Sequence, residues 1–295
     1  MKNRSTLQKT LQNLSVAFLV FSFLGVEPSH SLAPLVAHLA HADDSSLNFS
    51  KALSLYGAGK LDQAFPLFEE VFSDQNSTPG RRQQSSLILA YAPNSGLKKK
   101  KRHFYASYYL ENQKDAETPE GKKTRAALLR IAGDGFFDEM KLESAQQRYL
   151  LLAADSDVKN QAYAQYRMGW IEINQQTPQA TLNRWAHFLA QNEKTLVEQD
   201  PELFRSILRD TGRAWVEASE SAPTTVALPA FMQSLAQAHE ADFVDGVVLG
   251  LKRSSQSEVI ERFRVALAST SFTPSILSQL LKKGIVFNHF PCDLS

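Results

Sequence analysis

The chain has 295 residues, of which 43% are hydrophobic and 21% charged, enough for a sizeable buried core and unlike a disordered protein. Glycine (13) and proline (12) are sparse, which favours helices over a sheet protein with many turns. The net charge of +1 lacks the strong basic excess typical of nucleic-acid-binding domains, so we expect no nucleic-acid partner.

The N-terminal 42 residues have the order of a secretory signal peptide. Residues 1–13 carry three basic and no acidic side chains, and the apolar run Leu14–Val26 follows. This run is shorter than the roughly 20 residues that span a bilayer as a helix, which favours cleavage over anchoring. Small residues allow cleavage after Ser31 or after Ala42, and we favour Ala42. An uncleaved anchor is the alternative, because residues 32–40 are also apolar.

The leader predicts an exported protein of the periplasm or outer envelope. No cysteine lies directly after the leader, since Cys292 is the only cysteine of the chain, so we expect no lipoprotein anchor. A single cysteine also excludes an intrachain disulfide and a thiolate metal cluster.

A ladder of small and large residues recurs after the leader. Each copy has a small residue, a second small residue twelve positions later, and two large residues four and seven positions beyond that. The copies are Ala52, Ala64, Phe68 and Val71; Gly133, Ala145, Tyr149 and Leu152; and Gly169, Thr181, Trp185 and Phe188. Small residues let two helices approach and the aromatic ring fills their groove, so each copy predicts a helix pair. The third copy can also be aligned on Ala180.

A repeat with a lengthened turn is predicted between the first two copies. Ser86 lies 34 residues after Ala52 in the apolar stretch SSLILAYA, and the next helix, HFYASYYL, follows only after PNSGLKKKKR. We expect an extended basic loop near 93–102, which is a solvated surface by default and alternatively a contact for an anionic membrane or an acidic protein. Its basic residues are Lys98, Lys99, Lys100, Lys101 and Arg102.

After residue 198 the ladder degrades while the helical pattern continues. We therefore divide the mature chain into repeats at 43–198 and degenerate helical repeats with a C-terminal helix at 199–295. Part of the ladder returns at Val247 and Val259, which are twelve residues apart. Thr273-Pro274 predicts a helix break. The helix beyond it either caps the stack or precedes a truncated end.

The three copies resemble the tetratricopeptide repeat, in particular its exported members in bacterial cell envelopes. The motifs that carry the resemblance are YGAGKLDQAFPLF, AGDGFFDEMKLESAQQRY and YRMGWIEINQQTPQATLNRW. The 36 residues from Gly133 to Gly169 are close to the family period of 34. Glu172 departs from the pattern, because the family usually has an aromatic or apolar residue there. The resemblance implies an all-α fold, a right-handed α-solenoid of about five to six helix pairs.

In this family the first helix of each pair lines a concave surface that binds extended peptides or a partner's helix. The resemblance therefore implies a binding groove at six positions, which are Arg130, Asp134, Phe137, Tyr166, Trp170 and Ile173. Trp and Tyr are frequent binding hot spots. The alternative for Trp170 is packing between repeats. We expect a non-catalytic scaffold or adaptor that binds a protein or peptide partner in the cell envelope.

No residue pattern indicates catalysis, a metal or a cofactor. HEADF at His239 lacks the second histidine of a zinc-protease helix, and Gly57–Lys60 lacks a full phosphate-loop motif. The histidines after the leader, His103 among them, have no ligand spacing and are expected at the surface or in the groove. The alternative function is a helical solenoid subunit of a peptidoglycan-cleaving enzyme similar to lytic transglycosylases. It would require a separate catalytic domain, for which no stretch here has a suitable length.

Overall fold

The structure is a computed structural model of the full chain. It describes residues 47–92, 101–113, 118–222, 226–254, 257–268, 278–280 and 282–283. Within these ranges every regular element is a helix, which confirms the all-α class. The predicted leader at 1–42, the lysines 98–100, the break at 273–274 and Cys292 lie outside the described residues.

The described ranges contain twelve helices, numbered here in chain order. The N-terminal ones are α1 (Leu47–Gly57), α2 (Leu61–Ser73), α3 (Pro79–Tyr91), α4 (Arg102–Asn112), α5 (Pro119–Asp138) and α6 (Leu142–Ala153). The C-terminal ones are α7 (Val158–Asn174), α8 (Pro178–Gln199), α9 (Pro201–Ser221), α10 (Ala230–Ala238), α11 (Glu240–Arg253) and α12 (Ser257–Ala268).

The chain divides into two compact units, unit 1 at Met1–Arg148 and unit 2 at Tyr149–Ser295. In unit 1, α1 packs against α2, α2 against α3, α3 against α4 and α4 against α5. In unit 2, α7 packs against α8 and α8 against α9, while α9 makes its most extensive contact with α11. Each unit has its own core of apolar side chains.

Four helices begin with a proline that follows a Thr or Asp. The pairs are Thr78-Pro79, Thr118-Pro119, Thr177-Pro178 and Asp200-Pro201. Proline suits the first helical position, where no backbone donor is needed. At three of these starts the side chain of the preceding residue accepts a backbone N–H, as when Thr118 Oγ1 accepts from Gly121 at 3.0 Å. The helix boundaries are therefore encoded locally.

The first and third copies of the predicted ladder have the burial that the sequence predicts. Ala52, Ala64 and Phe68 are completely buried. In the third copy the Thr181 hydroxyl donates to the Gly169 carbonyl at 2.9 Å, and a Cβ on Gly169 would lie 2.4 Å from the Trp185 indole. Since Thr181 is buried and Ala180 is exposed, the alignment on Thr181 is correct.

The three copies share one turn geometry that the sequence analysis did not predict. Seven residues after the small residue, Gly59, Met140 and Gln176 have φ of 72°, 59° and 61°. Each donates to the carbonyl three residues back, and the following residue donates five residues back, which is the Schellman helix end. Because two of the three residues are not glycine, composition did not reveal the turn.

Two sequence predictions need correction. His103 is not at the surface, since only 7% of its side chain is exposed. It packs against Phe136 and over Gly135, and burial lowers its pKa. Arg102 belongs to helix α4 and not to the basic loop.

The contact of α9 with α11 depends on glycines that the sequence analysis did not single out. A Cβ on Gly246 would lie 1.6 Å from the Arg209 carbonyl oxygen, and one on Gly250 would lie 2.7 Å from Val216 Cβ. On the facing helix, a Cβ on Gly212 would lie 2.5 Å from the Phe243 carbonyl oxygen. The backbones therefore approach too closely for any side chain at these positions.

We expect Gly59→Ala and Gly80→Ala to change the stability of unit 1 in opposite directions. Alanine at 59 must adopt a left-handed conformation, which costs roughly 1 kcal/mol. Gly80 lies in α3 with no atom within 4 Å of a Cβ, so alanine there adds helix propensity and stabilises by roughly 0.5–1 kcal/mol. Urea unfolding of both variants measures the difference, and loss of stability in both would contradict the helix assignment at Gly80.

We expect Gly246→Ala to destabilise unit 2 by about 3 kcal/mol, because the methyl group meets the rigid backbone of α9. Leu249→Ala on the same helix is the control; Leu249 is exposed, so its loss changes stability by at most about 0.5 kcal/mol. Thermal unfolding followed by circular dichroism compares the two. Equal stability of the two variants would show that α9 and α11 do not approach this closely.

Candidate partner-binding surface

Helix α7 carries three of the predicted groove residues on one face. Tyr166, Trp170 and Ile173 are spaced by four and three residues, so they lie above one another on the helix. All three are partly buried and pack against the core of unit 2. The aromatic side chains on the surface of α7 are therefore packed against the core on their inner side.

Tyr166 is anchored by a carboxylate of α9. Its hydroxyl donates to Asp210 Oδ2 at 2.5 Å. The centroid of its ring lies 5.7 Å from that of the Trp185 ring. Burial and the hydrogen bond to Asp210 raise the pKa of Tyr166 to about 12. The tyrosine consequently keeps its proton at neutral pH and acts as a hydrogen-bond donor.

Asp210 is the only carboxylate among the buried polar and charged residues in the described part of the chain. Burial raises its pKa, and the Tyr166 hydrogen bond and nearby arginines counteract this rise. The nearest arginine is Arg209, whose Nε lies 3.9 Å from Asp210 Oδ1; Arg213 and Arg253 act from farther away. The net direction shows that burial outweighs these attractions.

Trp170 lies between the aromatic core and a cation. Its ring centroid is 6.3 Å from that of Tyr166 and 6.2 Å from that of Trp185. The Arg213 guanidinium lies 4.8 Å from the Trp170 centroid, within cation–π range, and Arg213 Nε donates to Glu217 at 2.6 Å. Trp170 thus packs against α8 and α9, as the alternative interpretation expected, yet remains partly accessible.

Glu172, the residue that departs from the family pattern, has a partner within its own helix pair. Arg184 on α8 donates to Glu172 Oε1 from Nε at 2.9 Å and from Nη2 at 2.6 Å. The same guanidinium donates to Gln165 at 2.9 Å. This charge-assisted contact replaces the apolar packing expected at position 172.

The other predicted groove residues lie in unit 1. Arg130, Asp134 and Phe137 are all on α5 with the same spacing as the α7 residues, and all are half-buried. They therefore form a second predicted set on one helix face.

The basic run is partly anchored where the structure describes it. Lys101 Nζ lies 3.3 Å from Glu69 Oε1, and Arg102 Nε donates to the Ala90 carbonyl at 2.9 Å. Arg102 therefore binds the C-terminal turn of α3, where a cation is favoured. Lys101 keeps an exposed side chain.

Sequence reasoning missed Asp210 and Arg213. The signal for Asp210 was available, because it interrupts the apolar face of α9 that includes Phe204, Ile207 and Ala214. A lone acid on such a face indicates a buried partner. The identity of that partner, Tyr166, required the fold, because it lies 44 residues earlier.

The described residues contain no group of three or more side chains suited to a metal ion. None of the helices in these ranges is both long and apolar enough to cross a membrane. No family model, curated protein or solved structure matches the chain.

We expect Asp210→Asn to stabilise unit 2 at neutral pH. The pKa of Asp210 is higher in the folded protein than in the unfolded chain. Unit 2 therefore loses folding stability as Asp210 ionises, while the pH rises through the folded pKa. Asparagine avoids this loss and still accepts the Tyr166 hydrogen bond. The gain should shrink as the pH falls towards about 4, where aspartate becomes protonated in both states.

Urea unfolding at several pH values measures this gain. Glu198→Gln, an exposed carboxylate on α8, is the control and should show no comparable pH-dependent gain. A variant Asp210→Asn that is less stable than the wild type at neutral pH would contradict the direction of the shift.

Proposed function

We propose that the chain is a non-catalytic, exported scaffold of the tetratricopeptide type, a right-handed stack of helix pairs that binds a protein partner in the bacterial cell envelope. The observation that carries the proposal is the surface of α7 and α9 in unit 2, where Trp170 lies under Arg213 and beside Tyr166. Tryptophan, tyrosine and arginine are the residues most enriched at binding hot spots.

The repeated helix-pair geometry supports the family assignment. The small residues, their twelve-residue spacing and the Schellman ends recur in three copies. In such repeats the first helices of successive pairs line one surface. In unit 2, α8 lies between α7 and α9 in the chain and packs against both, which is compatible with this arrangement.

The anchoring of this surface favours recognition of an extended segment. Tyr166 is held by Asp210, and Trp170 is held by Arg213 and the Trp185 ring. Side chains that are already ordered lose little conformational entropy on binding. A partner would therefore meet a preformed surface.

Site-directed photocrosslinking tests the surface. A photoreactive residue replaces Asn174, which is exposed on α7 one turn after Trp170, and a control copy carries it at Asn183, exposed on α8. In envelope extracts we expect a discrete protein adduct at position 174 and none at 183. Adding Trp170→Ala should reduce the adduct at 174 at least tenfold, the loss typical of a hot spot.

Val259→Ala in α12 provides the stability control, because Val259 is buried in the same unit and its truncation leaves α7 unchanged. It should retain the adduct. Identical adducts at 174 and 183, or loss of the adduct in Val259→Ala as well, would refute the proposed surface. Release of cleaved peptidoglycan fragments by the purified chain would instead support the enzyme-subunit alternative.

A further inference from the structure

The contact between α4 and α5 in unit 1 is made around a buried histidine. Only 7% of the His103 side chain is exposed, and its ring packs edge-on against Phe136, with the two ring centroids 4.9 Å apart. A Cβ on Gly135 would lie 2.2 Å from His103 Cβ and 2.8 Å from His103 Nδ1. The backbone of α5 therefore lies directly against the imidazole, because residue 135 has no side chain.

The imidazole is poorly satisfied in this contact. Its Nδ1 is buried without a hydrogen-bond partner among the described residues, and so is the hydroxyl of Ser107, which lies one turn later on the same face of α4. Buried polar atoms in folded proteins are nearly always hydrogen-bonded, because an unpaired one loses its water without compensation. Packing around the imidazole, and not a hydrogen bond to Nδ1, therefore holds it in place.

Two charged groups act on the imidazole, both from the C-terminal end of α5. Its Nε2 lies 3.5 Å from Glu139 Oε2, which is at the limit of a hydrogen bond. The same Glu139 oxygen lies 2.8 Å from Lys141 Nζ, so a cation already balances the carboxylate. Helix α3 also packs against α4, and in the described part of the chain it contributes no charged group that acts on His103.

A second proton on this imidazole is placed unfavourably. It gives Nδ1 an N–H group without an acceptor and puts a positive charge into a buried site near Lys141. His103 lies in the first turn of α4, where the helix dipole disfavours a cation, whereas the last turn of α5 favours one. Burial outweighs the attraction of Glu139, so the pKa of His103 is lowered.

We propose that the contact between α4 and α5 is acid-sensitive: it closes around the neutral imidazole of His103 and opens when that imidazole is protonated. Histidine is the side chain that ordinarily changes charge between pH 5 and 8. Opening exposes Tyr109 of α4 and Leu128 and Ala132 of α5, which belong to one apolar core. Unit 1 thereby responds to the pH of its surroundings by exposing apolar surface.

The direction of the effect follows from the difference in proton binding between the closed and open states. The pKa of His103 is lower in the closed contact than in the open one, where the ordinary value of about 6.5 applies. The contact is therefore fully stable above about pH 6.5 and weakens as the pH falls towards the pKa of the closed state. Each unit between the two pKa values raises the opening equilibrium constant about tenfold.

We expect the opening to be local. The donors in the described contacts of α4 with α2 and α3 keep their protons between pH 5 and 7. Tyr105 donates from its hydroxyl to Glu69 at 2.8 Å, and Arg102 Nε donates to the Ala90 carbonyl at 2.9 Å. Acid therefore separates α4 from α5 and leaves α4 on α3. The α7 surface belongs to unit 2, so the two proposals stand or fall separately.

Hydrogen exchange of the full chain tests the proposal. It is measured at about pH 7.5 and about pH 5.5, on either side of the ordinary histidine pKa, and corrected for the intrinsic exchange rates. In the wild type we expect the opening constant of α5 amides to rise at the lower pH while that of α1 and α2 amides stays the same. His103→Gln, which keeps a neutral polar side chain, should remove this pH dependence. His103→Asn is a second neutral replacement.

Two charge variants separate proton binding from a purely structural role of His103. Glu139→Gln removes an attraction for the charged imidazole, so it should lower the pKa of His103 and move the opening to lower pH. Lys141→Gln removes a repulsion and should move the opening to higher pH. NMR titration of the His103 ring measures the pKa in each variant. His187→Gln, exposed on α8, is the matched control and should behave as the wild type.

Several outcomes would overturn the proposal. One is a pH dependence of α5 exchange that persists in both neutral variants of His103. A second is an equal rise of exchange in α1 and α5, which would mean that unit 1 unfolds as a whole. A third is a shift of the opening in the same direction by Glu139→Gln and Lys141→Gln. A pKa of His103 at or above about 6.5 in the folded chain is the fourth.

Discussion

The contact between the two helices of a pair is the constraint on which unit 2 depends. At Gly169 the backbone of α7 approaches α8 closely enough for the Thr181 hydroxyl to reach its carbonyl. The Trp185 ring occupies the space where a side chain at 169 would lie, and its Nε1–H donates to the Gln165 carbonyl at 3.2 Å. Tyr166 and Trp170 pack on this ring. The position of the α7 surface therefore follows from the missing Cβ at residue 169.

Close approach has a different consequence in the C-terminal helices. Gly212, Gly246 and Gly250 bring the backbones of α9 and α11 into contact along about two turns. Helix α10, which comes between them in the chain, has only 9 residues, so α9 pairs chiefly with α11. A close contact of α9 with α11 thus takes the place of a regular helix pair after residue 198, where the ladder degrades.

The helix pairs were predictable from the sequence because their signal is local. Ala52 and Ala64, or Gly169 and Thr181, are twelve residues apart and face each other across one turn, so spacing alone identifies them. The partner of Gly246 is the backbone of Arg209, 37 residues earlier, and nothing in the spacing selects it. Burial of His103 likewise depends on the absence of a side chain at Gly135, on a helix that follows a separate loop.

The candidate surface was predictable only in part, for the same reason. Tyr166 and Trp170 were found because the family pattern assigns positions on a single helix. Asp210 and Arg213, which hold those two rings, lie on the next helix pair and are specified by the way the pairs stack. A repeat pattern describes each pair well and contains little information on the side chains that join one pair to the next.

Burial of the Asp210 carboxylate between α7 and α9 lowers the folding stability, which suggests that the residue has another role. Burial raises the pKa of Asp210 despite the Tyr166 hydroxyl and three arginines, so an apolar pair of similar volume would hold α7 against α9 with less loss of stability. Apolar contacts are not directional, however, and would let the two helices slide. The hydrogen bond between Tyr166 and Asp210 selects one register, and in that register Arg213 lies over Trp170. A directional polar contact thus keeps the aromatic surface in a single arrangement, and this order is what a preformed binding site requires.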